Sequence, residues 1–190
     1  MIGPFEYVTV LISIILGLGI TQILTGIADL VQRSGRVIVY WPHLLWILFV
    51  MLLQIQEWWI LYELKDYHPW RLPTFLFTIL YPINLFILSR LLFPRSLKGK
   101  EICLKEFYFA NYPKIFATFA LSAILSILFN LIVLDLAVTT QFLQLLLALF
   151  CTAIAAFKIT NERIHQGFAI AVFLALMTSI FIERDVWIVN

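Results

Sequence analysis

The chain has 190 residues, 63% of them hydrophobic and only 13% charged, with a mean hydropathy of +0.99 and a formal net charge of +2. Soluble domains carry about 25% charged residues, so this composition argues against a water-soluble fold and for a multi-pass membrane protein. Two cysteines, Cys103 and Cys151, do not make a disulfide framework and are expected as free thiols.

No zinc-ligand spacing, phosphate-binding glycine loop, dinucleotide fingerprint or nucleophile elbow occurs. No metal or cofactor is therefore expected. Taken in order, the chain opens with Met1 to Glu6, which lacks a basic n-region, and the apolar run continues well past the length of a signal peptide core. The first segment, 5–31, is expected as a retained span. Ser13, Gly17, Thr21, Thr25 and Asp29 recur along it every four residues. That repeat suggests a ridge on which another helix packs closely, or alternatively a ligand-lining face, with Gln22 beside it.

The second span, 41–64, opens on Trp41-Pro42, with proline tolerated in a first turn. Val50, Gln54, Glu57 and Leu61 share one helical face. A carboxylate at mid-membrane costs on the order of 2.5 kcal/mol or more and normally faces a partner or water. Trp58 and Trp59 flank that face, suited to a membrane interface. The third span, 72–93, carries Pro82 and Asn84. A kink is expected there, with Asn84 helping to satisfy the freed carbonyl.

Residues 94–114 form the one sizeable polar stretch, with Arg95, Lys98, Lys100, Lys105 and Lys114 against Glu101 and Glu106. Ile102, Cys103, Phe107 and Ala110 lie at helical spacing, which suggests a short helix in the headgroup plane. Arg95, Lys98, Lys100 and Lys105 are expected to meet anionic lipid headgroups, at up to about 1 kcal/mol each. The mixed charge makes a weak case for nucleic acid, and none is expected as a partner.

Three further spans follow: 115–134 with Asn130, 141–157 with Gln144, and 167–182, ending on Glu183-Arg184-Asp185 and Trp187. The last two are short, so a re-entrant pair is the alternative. The expectation is an all-α, polytopic bundle of six spans in one membrane domain. Arg33, Arg36, Arg90, Arg95, Lys98, Lys100, Lys105, Lys114, Lys158 and Arg163 then share one side, against Lys65, Arg71 and Arg184 on the other. The positive-inside rule puts both termini outside the cytoplasm.

At 1.5 Å rise per residue, Glu57, Asn130, Gln144 and Glu183 fall in the outer half. Gln22, Asp29, His43, Arg90 and Lys158 fall toward the cytoplasm. These two polar layers suit either the vestibules of a permeation path or hydrogen-bonded glue between helices.

The strings Ser13–Gln22, Tyr40–Trp46 and Gln56–Trp59 resemble a group of uncharacterised bacterial multi-pass membrane proteins. The likeness covers mainly the first half of the chain. It implies a bacterial inner-membrane setting and brings no activity, substrate or catalytic residue. Three function classes follow from the residues. One is a small homo-oligomeric channel or carrier for ions, protons or a small solute, with Glu57 as its cation or proton site and Gln22, Gln54, Asn84, Asn130 and Gln144 as polar core. The second is a sensing or recruiting subunit acting through the basic loops. The third is a membrane enzyme or haem protein using His43 and His165.

Overall fold

The computed structural model describes residues 3–94 and 101–182. In order they form α1 (Pro4–Gln32), β1 (Val37–Ile38), α2 (Trp41–Ile60), α3 (Leu72–Thr78), α4 (Leu80–Leu91), β2 (Ile102–Cys103), α5 (Leu104–Ile132), α6 (Phe142–Ala156) and α7 (Glu162–Ile182). With a 3-10 turn extending α2 and another preceding α6, and α3 and α4 taken together, six helical stretches are long and apolar enough to cross a membrane. Six is the number the hydropathy pattern leads one to expect.

The chain alternates between two ends. At one end β1 pairs in parallel with β2, Val37 against Ile102 and Ile38 against Cys103. Lys105 meets Glu162 at the same end, at 2.6 Å, so the starts of α2, α5 and α7 lie together there. At the other end Tyr67 and Pro73 come beside Ile132 and Val133. Phe5 of α1 shares that end of α2 with Trp58 and Tyr62.

α4 packs against both α1 and α5, and α2 touches α1, α4, α5 and α7. The largest side chains at the centre are Trp46, Tyr108, Phe116 and Phe119, all with under 2% exposure. α6 and α7 are peripheral, with 17% of their most apolar windows buried against 33% for α2 and α5. Leu149, Phe150, Leu174 and Phe181 project outward from them, where lipid would meet them.

Helix α1 corrects the expected packing ridge. Gly17, Thr21 and Thr25 are exposed, and Ser13 and Asp29 are half-buried. The buried stripe is Val8, Ile12, Leu16, Gly19, Ile23 and Gly26. Geometry explains the difference. A four-residue repeat advances about 40° around the helix at each step, so the five positions from Ser13 to Asp29 drift by about 160° and leave one face. Val8 to Gly26 covers 18 residues in five steps, which averages 3.6. The close approaches accordingly lie at Gly19, whose Cα faces the Gln54 amide, and at Gly26, which lies under the Phe93 ring.

Two other boundaries shift. The third span breaks at Ile79, between α3 and α4, because Pro82 has no N–H to donate to the Thr78 carbonyl. Asn84 does not serve that carbonyl; it reaches across to α5 instead. α5 begins at Leu104 rather than at 115 and runs through Pro113. What the sequence suggests as a helix in the headgroup plane is the opening of α5. Leu104, Tyr108, Tyr112 and Phe116 recur every four residues and are all buried, which outweighs the lysines on the other face. Lys105 is thus ion-paired to Glu162 in the structure, whereas Arg95, Lys98 and Lys100 lie outside the described residues, as does Glu183.

Candidate functional site

The polar residues expected to line one path are distributed over three separate helix contacts. Gln54 Nε2 donates to Ser89 Oγ at 2.6 Å, joining α2 to α4. Asn84 Nδ2 donates to Ser122 Oγ at 2.7 Å and to the Thr118 carbonyl at 3.1 Å, joining α4 to α5. Asn130 Nδ2 donates to Gln141 Oε1 at 2.6 Å, joining α5 to the turn before α6. Gln22 and Gln144 are half-buried on α1 and α6. These bonds join the helices in pairs, and Gln54 Oε1 keeps no hydrogen-bond partner among the described residues. Such bonds between helices in a bilayer average about 0.6 kcal/mol.

Glu57 stands apart. It is half-buried on α2, one turn beyond Gln54. Its carboxylate interacts electrostatically with Tyr81 of α4, and no hydrogen bond or ion pair holds it among the described residues. Nearby on α2, a groove of about 320 Å³ that Glu57 does not line opens between Phe5, Thr9 and Ser13 of α1 and Trp58, Trp59 and Tyr62.

At the β1–β2 end the structure assembles a cluster that the sequence spreads over more than a hundred residues. Tyr40 caps α2 and His43 lies in its first turn. Tyr108 and Tyr112 lie on the opening turns of α5, and Glu162 and His165 open α7. Tyr108 Oη lies 2.8 Å from His165 Nδ1, and His165 Nε2 lies 2.8 Å from the Ile159 carbonyl. A carbonyl only accepts, so Nε2 carries the proton and the Tyr108 hydroxyl donates to Nδ1. His43 Nε2 likewise donates to the Leu92 carbonyl at 2.9 Å.

The rings of Tyr40, His43 and His165 lie 5.4, 5.8 and 5.4 Å from that of Tyr108. Phe116 stacks on His165 at 13°. Trp46 Nε1 approaches the Tyr108 hydroxyl without meeting hydrogen-bond geometry. Burial, together with the nearby Glu162 carboxylate, pushes the Tyr40 phenol up to about 12, so it stays protonated at neutral pH.

Neither histidine fits the haem reading well. His165 has both nitrogens bonded to protein, and the metal-capable nitrogen of His43 is enclosed among aromatic rings. Among the described residues no group of three or more His, Cys, Asp or Glu side chains is placed to hold a metal. Sequence reasoning notes both histidines and misses Tyr40, Tyr108, Ser89 and Ser122. The available signal was the four-residue recurrence of Leu104, Tyr108, Tyr112 and Phe116, which marks them as one inward face.

Trp46, Phe49, Phe116 and Phe119 fill the centre, with ring centroids 4.9–6.3 Å apart. Among the described residues the fold has six apolar helical stretches, compatible with a multi-pass membrane protein. No family model, curated protein or solved structure matches the chain.

Proposed function

We propose that this protein is a small proton- or cation-handling channel or carrier of a bacterial inner membrane, with Glu57 as the exchanging group. The observation that carries this reading is a carboxylate inside a spanning helix with no ion pair or hydrogen bond among the described residues. Carboxylates in such positions commonly mark ion or proton pathways. The Trp46–Phe119 aromatic packing fills the middle of a single copy, and Glu57 shares the buried face of Val50, Gln54 and Leu61, so a route that uses Glu57 runs between α2 and α4 beside Tyr81. A homo-oligomer would enclose that route. The excess of lysine and arginine at the β1–β2 end supports placing that end in the cytoplasm and both termini outside. The basic side chains there, Lys105 among them, would meet anionic lipid.

Purified protein in liposomes under a proton or monovalent-cation gradient tests the reading. The expected result is a flux that Glu57→Gln abolishes while the protein folds and inserts as before. An undiminished flux in Glu57→Gln, or no flux with any of these ions, sinks it. Unfolding of that variant would show the charge to be structural and would remove the main support.

A further inference from the structure

Among the buried polar atoms with no partner in the described residues are Tyr40 Oη and His43 Nδ1, both at the β1–β2 end. Their residues are 5% and 0% exposed. Buried groups of this kind are satisfied in native interiors by protein or by ordered water, because leaving them unmade is costly. Their chemistry is complementary. The Leu92 carbonyl takes the Nε2 proton of His43, so Nδ1 is a bare acceptor. Tyr40 is a protonated phenol that can both donate and accept. The two are three residues apart at the start of α2, hence on one face, and both rings lean on Tyr108. They make no direct bond with each other.

We propose that Tyr40 Oη and His43 Nδ1 hold one internal water molecule. The other titratable groups facing the cluster are Tyr108 and Tyr112 of α5, Cys151 of α6 and His165 of α7. Tyr108 and His165 are already bonded to each other, which leaves His43 as the open acceptor. The site lies at the opposite end of α2 from Glu57 and stands whether or not Glu57 carries ions.

Nitrogen-15 solid-state NMR of the full chain in lipid bilayers tests this, with water protons as the probe. Only His43, His68 and His165 contribute imidazole signals. The expected spectrum has His43 as the Nε2–H tautomer with Nδ1 in contact with a water proton. Tyr40→Phe should abolish that contact and leave the His165 Nδ1 signal in place. A His43 Nδ1 without water contact, or bonded directly to Tyr40, overturns the proposal. That first spectrum decides even where Tyr40→Phe does not fold. A water contact that persists unchanged in a folded Tyr40→Phe chain overturns it as well. Loss of flux in Glu57→Gln, by contrast, should leave the His43 spectrum unaltered.

Discussion

The clearest energetic test compares two glycines on α1 that lie two residues apart. A methyl group on Gly19 would collide with the Gln54 side-chain amide, with Nε2 at 2.6 Å and Cδ at 2.7 Å, whereas one on Gly17 meets nothing within 4 Å. Gln54 is fully buried and tied to Ser89 at 2.6 Å, so it has no free direction in which to retreat. Overpacking costs about 1–3 kcal/mol, and displacing the Gln54–Ser89 bond adds about 0.6 kcal/mol. Replacing a helical glycine by alanine also gains about 0.8–1.0 kcal/mol of propensity. That gain is common to both sites and cancels. Gly19→Ala should therefore be less stable than Gly17→Ala by about 2–4 kcal/mol. Reversible unfolding of both variants in mixed micelles measures the difference. The double change Gly19→Ala with Gln54→Ala should recover most of the overpacking cost, since it vacates the space the methyl needs. Equal stabilities for the two single variants would falsify the assignment of Gly19, rather than the Ser13–Asp29 ridge, as the contact within the chain.

Two further outcomes are expected. Single cysteines at positions 34 and 68 should label from opposite sides of the membrane, with position 68 reactive from outside; labelling of both from one side would contradict the alternating topology. Asn84→Leu should lose about 1 kcal/mol, from two bonds of about 0.6 kcal/mol each, and Ser122→Ala in that background should cost almost nothing more. A second full loss in the double variant would mean that Ser122 makes a contact beyond Asn84 and the Thr118 carbonyl of its own helix, to which it donates at 3.1 Å.

The number of apolar stretches was legible in the sequence because hydropathy needs no knowledge of neighbours. Phase was harder. The Ser13–Asp29 repeat looks regular on paper, yet over its length it drifts about 160° around a 3.6-residue helix and leaves one side. The start of α5 was hidden for a related reason. Lys105 and Glu106 occupy its exposed side and obscure Leu104, Tyr108 and Tyr112 on the buried one. Asn84 was recognisable as a polar group in need of a partner, but the partner, Ser122, lies 38 residues away. The Tyr40–His43–Tyr108–His165 cluster was the least accessible. Its members come from three helices, and each residue alone suits a membrane interface.

The short parallel pairing of β1 with β2 has a consequence for chain length. Only Val39 and Tyr40 separate β1 from α2, and nothing separates β2 from α5. With Ile38 locked opposite Cys103, the two helices start from a common datum. One residue inserted between Ile38 and Trp41 and taken up as a further residue of α2 would turn the helix by about 100° and advance it by about 1.5 Å relative to α5. His43 would then leave Tyr108, and Gln54 would leave Gly19. The turn from 133 to 137 at the far end carries no such ladder and can change length without rotating any helix against its neighbour. The two-residue spacer after β1 therefore works as a gauge block, setting the rotation of α2 over its whole length.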